Sequence, residues 1–376
     1  MAPRFGALPI SRIAWKLVAW FEQSARDLPW RRTKDPYAIW ISEIMLQQTQ
    51  VKTVIPYFER WMRTLPTLRE FAAARPGRVL KLWEGLGYYT RVANAQSAAR
   101  LIMAEHAGQF PARFDDILAL PGIGRYTAGA ISSIAFNQPA PILDGNVIRV
   151  LTRLFAIAGD PRGKEVNSKL WDIATRLVSA REIEPAKLNQ ALMELGALIC
   201  LARQPRCIDC PVRQHCFAWR HGRVAGFHAP ARRTPVTERR FIALVVREQD
   251  RFLVRRRAAG ILNAGLWDFP NIEIPVKTKN PAALAAPFEA AAGRPFFSVR
   301  HSITRYRILL EVFHAAKPAA AEVDGVWKTI AQMSKLPFTS AHRKVLNAVR
   351  GAGHLTNRHF GGRDAGPKPL AMDQCG

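Results

Sequence analysis

Apolar residues recur at every third or fourth position up to about Arg220, as in Ile13-Leu17-Trp20-Phe21 and Leu170-Ile173-Leu177, a spacing that lays an apolar stripe along each helix. Pro, Gly and Asp mark the breaks between these segments. Between Ala225 and Arg240 the periodicity disappears and the chain becomes rich in Pro and Arg, the composition of a linker. Past it the pattern changes in kind. Phe241-Ile-Ala-Leu-Val-Val246 and Phe252-Leu-Val254 are short apolar runs separated by Glu248-Gln-Asp-Arg251, which predicts a β-hairpin. The run Ser302–Phe313 predicts further strands, while Pro281–Ala292 and Ala341–Ala348 predict helices. The reading is multi-domain: an all-α region over residues 1–224, a linker over 225–240 and an α+β region over 241–350. The tail, 351–376, is rich in Gly, Arg and Pro, has few apolar anchors and is expected to be disordered.

Composition narrows the class. With 376 residues the chain exceeds what one core ordinarily organises, in line with two domains. Apolar residues make up 48% of it, but no long uncharged run occurs, and even Ile13–Phe21 contains Lys16, so no membrane span is expected. That stretch also lacks the small-residue cleavage site of a signal peptide, which predicts a cytoplasmic protein, nucleoid-associated if bacterial. Lys and Arg number 55 against 29 Asp and Glu, a formal net charge of +26. An excess of this size points to a polyanion held through counterion release, and leaves DNA, RNA and lipid open. A monomer is the default expectation.

Three constellations carry chemistry. Leu120-Pro-Gly-Ile-Gly-Arg-Tyr-Thr127 lies between the helical stretches Phe114–Ala119 and Ala128–Ala135. Gly122 and Gly124 can take backbone angles closed to other residues, and lacking side chains they let N–H groups and a helix N-terminus approach a phosphate. An ordinary helical corner is the plain alternative. Asp144, in Pro141-Ile-Leu-Asp-Gly-Asn146, sits where a carboxylate caps a helix, and where it can also stabilise the positive charge of a sugar whose glycosidic bond is breaking. Glu43 has Ile39, Trp40, Leu46 and Gln47 as neighbours at helical spacing. Three of those four are apolar, and partial desolvation raises a carboxyl pKa and suits it to donate a proton. Either acid alone fits a structural role. Together they supply a proton for a departing adenine and a counter-charge for the sugar, on a nucleotide that must first be turned out of the duplex.

The third constellation is Cys200-x6-Cys207-x2-Cys210-x5-Cys216, which follows the helical stretch Leu192–Ile199 and encloses Arg203, Arg206 and Arg213. Such clustering in a large chain reads as metal ligation rather than as a disulfide framework. Zinc ribbons generally use two close Cys pairs and this loop has one, so a four-cysteine 4Fe-4S cluster fits better than structural zinc. Its expected role is to fold the loop and present its basic residues to phosphates, with redox sensing left open. Cys375 stands apart in the tail.

Six motifs in order resemble MutY-type adenine DNA glycosylases, relatives of endonuclease III, over roughly residues 10–350. They are Leu28-Pro-Trp-Arg31, Ser42-Glu-Ile-Met-Leu-Gln-Gln-Thr-Gln-Val51, Gly85-Leu-Gly-Tyr-Tyr89, the glycine hairpin, Ile142-Leu-Asp-Gly-Asn146 and the cysteine spacing. The resemblance implies an all-α helix-hairpin-helix core with an iron–sulfur cluster loop, followed by an α+β Nudix-like domain. Its implied partner is double-stranded DNA with adenine opposite 8-oxoguanine or guanine. By resemblance Glu43 protonates the adenine, Asp144 stabilises or traps the sugar cation, and Tyr126 and Asn146 assist. Arg31 and Gln190 match positions lining the adenine pocket, and Gln48, Thr49, Leu86 and Tyr88 match residues that wedge into the duplex and hold the opposite base. Trp30 is expected in the core. Tyr126 stands where bifunctional relatives carry a Schiff-base lysine, which implies a monofunctional enzyme.

The second domain, through Phe252–Arg257 and Gly265-Leu-Trp-Asp-Phe269, is similar to the Nudix-like module that detects 8-oxoguanine, without the Glu-rich helix that binds magnesium. Where the family often has Phe-Ser-His, this chain has Ile303-Thr-Arg305, and Thr304 is expected to make the lesion contact. Two rivals remain at this stage. One is an endonuclease III-like glycosylase for another lesion, which would need neither Glu43 nor the second domain. The other is a non-catalytic iron–sulfur DNA-binding regulator, which would leave the Glu43–Asp144 pair unexplained.

Overall fold

The computed structural model describes residues 10–227, 235–286, 288–290, 294–303, 305–316 and 324–356, with side chains up to residue 351. Thr304, residues 228–234 of the expected linker, and residues 357–376 with Cys375 lie outside the described residues. The chain divides into two compact units between Arg233 and Thr234.

The first unit is helical. Its elements are α1 (Ile10–Ser24), α2 (Pro36–Leu46), α3 (Val51–Thr64), α4 (Leu68–Ala73), α5 (Pro76–Trp83), α6 (Thr90–Glu105), α7 (Phe114–Leu118), α8 (Arg125–Phe136), α9 (Gly145–Phe155), α10 (Lys164–Val178), α11 (Pro185–Leu198) and the short α12 (Phe217–Arg220). Helix α2 starts where Pro36 presets φ and where Asp35 accepts from the N–H groups of Tyr37 and Ala38 at 3.0 and 3.3 Å. Its sequence is apolar almost all round, and every residue from Tyr37 to Met45 is buried. Whatever polar group this helix carries is therefore taken out of water. Trp40 and Trp61 meet Phe71 edge-on, and Trp61 meets Trp83 likewise, which anchors α2 on α3, α4 and α5. A second core joins α1, α8, α9, α10 and α11 through Leu17, Ala130, Leu151, Leu170 and Leu192.

The second unit is built on a mixed sheet. Strand β1 (Thr237–Glu248) is its centre: it pairs parallel with β7 (Tyr306–Ala316), and antiparallel with β4 (Asn271–Ile274) and, at its far end, with β2 (Arg251–Arg256). Strand β6 (Phe297–Ile303) pairs antiparallel with β7. The expected hairpin is present, with a two-residue connection at Gln249 and Asp250, and its strand begins at Thr237, inside the stretch read as linker. Phe241–Val246 is continuously apolar because both faces are covered. Ala243 and Val245 pack with Val345 and Leu346, whereas Ile242 and Leu244 pack with Ile274, Phe288 and Phe313.

Two expectations are corrected. Among the described residues, the stretch 281–292 is not helical: a 3-10 turn covers Pro281–Leu284, and Glu289–Ala290 forms a short strand, β5. Pro287 within that alanine-rich run removes a donor and disfavours the helical angles of the residue before it, which outweighs the propensity of alanine. At the other end, the helix expected over Ala341–Ala348 is α14 (Ser340–Thr356), so helix rather than tail occupies Gly351–Thr356.

Candidate functional site

A pocket of about 530 Å³ opens where α2, α8, α11 and the N-terminal end of α9 converge. Glu43 enters it from the middle of α2, 5% exposed. Burial pushes its carboxyl up to about 7, against a pull downward from the Tyr126 hydroxyl and from Arg31. Tyr126 Oη donates to Glu43 Oε2 at 2.7 Å and stands 3.3 Å from Met193 Sδ. Its own ionisation is pushed well above the ordinary range by burial and by the two carboxylates, so the phenol stays a donor.

Asp144 is the N-cap of α9. Its Oδ1 accepts from Val147 N at 2.7 Å and its Oδ2 from Asn146 Nδ2 at 3.2 Å. Burial raises its pKa, but these two donors pull it back toward the charged form. Beyond Asn146 the chain of contacts continues. Arg149 Nη2 donates to Asn146 Oδ1 at 2.8 Å and to Gly196 O at 2.6 Å, and Arg149 Nε donates to Cys200 O at 2.6 Å. With its oxygen engaged by a guanidinium, the Asn146 amide can offer Asp144 only its NH2 group. Helix α11 passes so close that a Cβ on Gly196 would lie 2.6 Å from that of Asn146.

Arg31, Gln48, Thr49 and Gln190 line the same pocket, together with Trp30. Trp30 is buried as expected and meets Phe58 edge-on. The other residues matched to duplex wedging lie apart from it. Leu86 is 6% exposed and packs inward, so its side chain is part of the core, whereas Tyr88 is 44% exposed. Gln48 and Tyr88 both adopt left-handed backbone, with φ of 58° and 47°, at the tips of their loops. Arg91 ties the loops together: Nη1 donates to the carbonyls of Ile44 and Gln47 at 2.5 and 2.8 Å, and Nη2 to those of Leu86 and Gly87 at 3.2 Å.

The hairpin between α7 and α8 is closed by Ile123 N donating to Leu120 O at 3.1 Å. Gly122 has φ +76°, and a Cβ there would strike Asn94 at 2.7 Å. Gly124 differs from the expectation: its φ of −96° is open to any residue, and a Cβ would meet nothing within 4 Å. The space in front of it is open, beside the first N–H groups of α8, which have no partner within the helix.

Cys200, Cys207, Cys210 and Cys216 line one small cavity with Arg153, Ile199 and Trp219, all four as free thiols. Burial pushes Cys210 up to about 12 and raises Cys207 and Cys216. Arg153 Nη1 donates to Cys200 Sγ at 3.4 Å and to Leu201 O at 2.6 Å, and Arg153 Nε to Val224 O at 3.1 Å. Among the described residues no three His, Cys, Asp or Glu side chains close on a single metal ion. Four thiols lining one cavity form a soft ligand set suited to a metal–thiolate centre.

Comparison with known proteins bears on this arrangement. Residues 41–176 match the HhH-GPD superfamily base excision DNA repair protein family, and residues 241–348 match the NUDIX domain. The adenine DNA glycosylase of Rattus norvegicus is 36% identical over 88% of this chain and 76% of its own length. That of Homo sapiens is 34% identical over 89% and 73%. The chain belongs to the adenine DNA glycosylase family. The expected order of a helix-hairpin-helix core and a Nudix-like domain holds, and membership of this enzyme family displaces the reading as a non-catalytic regulator. A thermostable thymine-DNA glycosylase shares the fold of the first unit, with a TM-score of 0.51 and 27% identity over 56% of this chain and 97% of its own. The family's superfamily match contains Glu43, Tyr126, Asp144 and Asn146, while Arg31, Gln190 and the four cysteines fall outside it. Among the described residues, no helix is long and apolar enough to cross a membrane.

Sequence reasoning missed Arg26, Arg91, Arg149 and Glu194. One signal was available for the last two. Arg149 sits among Val147, Val150 and Leu151, and Glu194 lies between Met193 and Leu195, so each interrupts an apolar stretch of its helix.

Proposed function

We propose that the protein excises adenine mispaired with 8-oxoguanine or guanine in double-stranded DNA, hydrolysing the N-glycosidic bond and leaving an abasic site without cutting the strand. The observation that carries this reading is one pocket holding two carboxyls in opposite settings, Glu43 desolvated and Asp144 supplied with N–H donors. Near neutrality Glu43 retains its proton in about half the molecules. Donated to a ring nitrogen as the bond lengthens, that proton lets adenine leave as a neutral base, an effect on the order of 10²–10⁴-fold. Asp144 faces the developing sugar cation as a fixed anion, and Asn146 holds it in place. Ionised by the transfer, Glu43 can then take a proton from the water that adds its hydroxyl to the sugar carbon.

No lysine is among the described residues that line the pocket, and Tyr126, with its raised pKa, is not a Schiff-base former. Both facts support monofunctional chemistry. On the duplex side, Gly122 and Gly124 would grip the backbone, Gln48, Thr49 and Tyr88 would hold the opposite base, and Thr304 would contact the lesion. The cysteines fit a 4Fe-4S cluster, with Cys200, Cys207, Cys210 and Cys216 as its ligands; when bound, it would supply metal–thiolate bonds and so brace the loop. We place the enzyme in the cytoplasm, at the nucleoid if bacterial, as a monomer with no membrane partner.

The deciding experiment follows base release from a duplex with one adenine opposite 8-oxoguanine, beside a duplex with adenine opposite thymine, with and without alkali. Alkali-dependent cleavage of the first alone is expected. Equal release from both, or cleavage without alkali, would overturn lesion specificity or monofunctional chemistry respectively.

A further inference from the structure

Glu194 projects from α11 into the pocket wall, 1% exposed. Its Oε1 accepts from Arg26 N at 3.0 Å and from Arg26 Nε at 2.8 Å, and its Oε2 accepts from Arg26 Nη2 at 2.6 Å and Arg31 Nη2 at 3.0 Å. Arg31 is fixed further by donating Nη1 to Arg26 O at 3.1 Å and by lying over the Phe21 ring at 5.1 Å. Burial alone would push the Glu194 carboxyl up, but the bonds from Arg26 and Arg31 outweigh it and hold it at about 2. One carboxylate thus fastens two guanidinium groups on the side of the pocket that faces Glu43.

We propose that Glu194 is a positioning residue that holds Arg31 away from Glu43, leaving Arg31 to present its donors to the extruded base and Glu43 to keep its proton. The inference deepens the glycosylase reading above and rests on it. The charged and titratable groups facing Glu43 are Tyr126 on α8, Asp144 at the start of α9 and Arg31. Tyr126 and Asp144 each have their own fixed hydrogen bonds, whereas Arg31 shares its counter-ion with Arg26. Remove the charge of Glu194 and Glu43, whose carboxyl already feels Arg31 across the pocket, becomes an available anion for it. A salt bridge there would ionise the general acid early and pull the reading edge of Arg31 off the base.

The test is the pH profile of single-turnover adenine release by the whole protein. Glu194→Gln keeps the volume and removes the charge. It is expected to move the alkaline limb of the profile down by about half a pH unit or more. Arg31→Gln in the wild-type background is expected to move that limb little, because Arg31 is already engaged. In the Glu194→Gln background it is expected to move the limb back up. Glu194→Asp, which retains the charge, should restore most of the wild-type profile. A role in folding alone would lower the melting temperature and the amount of active enzyme without moving the limb, and that outcome overturns the proposal, as does an equal effect of Arg31→Gln in both backgrounds. Absence of adenine release by the wild-type protein would instead overturn the functional reading on which it rests.

Discussion

The middle of α2 and the first turn of α9 deliver the same functional group to one pocket and leave it in different states. Glu43 is carried on a helix without a solvent face, and its one hydrogen bond comes from a phenol. Asp144 is less completely hidden, and it sits where a helix leaves its N–H groups unsatisfied, with Val147 and Asn146 pointing at its two oxygens. Desolvation with little compensation lifts a carboxyl furthest, and N–H donors pull one back toward the charged form. Local backbone geometry, rather than the residue type, sets the two carboxyls apart.

Four experiments test the contrast. The largest effect is expected from Glu43→Gln, which keeps the shape and removes the proton: single-turnover release should fall by about 10³-fold or more with duplex binding retained, measured by base release and anisotropy on one preparation. A smaller loss would make Glu43 a spectator.

Next, Arg149→Ala should slow release by roughly 10–100-fold and lower the melting temperature, since each buried charge-assisted hydrogen bond contributes about 1.5–3 kcal/mol. Arg149→Lys should not rescue it, because three acceptors on two helices and a loop need the planar fork. Wild-type rates in Arg149→Ala would show that Asp144 is held by its cap alone.

The third concerns stability. The Glu43 pKa is raised on folding, so its stabilising contribution is complete below the unfolded value near 4.5 and is lost as pH rises toward about 7. Glu43→Gln escapes that loss. Relative to wild type it should gain up to about 3 kcal/mol between pH 5 and 7.5 and then level off, in denaturant titrations at each pH. A pH-independent difference would place Glu43 in contact with water.

The smallest effect is expected of Tyr126→Phe. The Tyr126 hydroxyl lowers the Glu43 pKa, so its removal should shift the alkaline limb of release upward, by less than about one unit. A downward shift would mean that the phenol stabilises the protonated form instead.

The pair was legible in the sequence because each acid advertises its setting locally, Glu43 by apolar neighbours at helical spacing and Asp144 by Gly and Asn in a capping position. The four cysteines were legible through their spacing. What escaped was held by long-range contacts. Arg26 and Glu194 meet across 168 positions, and Arg149 reaches Cys200 across 51, so no window on the chain contains both partners. Leu86 escaped for the opposite reason. Its match to a wedging position implied exposure, yet the turn directs the side chain inward and leaves Tyr88 outside. In the second unit, β1 was readable as a run buried on both faces, but Pro281–Ala292 carried an alanine signal that Pro287 cancels.

Arg91 has a mechanical consequence. Its guanidinium is bonded to carbonyls at the end of α2 and in the loop before α6, and lies over the rings of Trp83 and Tyr88. The loops bearing Gln48 and Tyr88 are thereby riveted into a single rigid jaw. A jaw that does not yield leaves the cost of fitting to the other body. Under the proposed function, a double helix docked there would itself have to bend and unstack, most cheaply where a mismatched pair has already weakened the stack. A stiff protein surface can in this way sort soft sites from hard ones before any base is read.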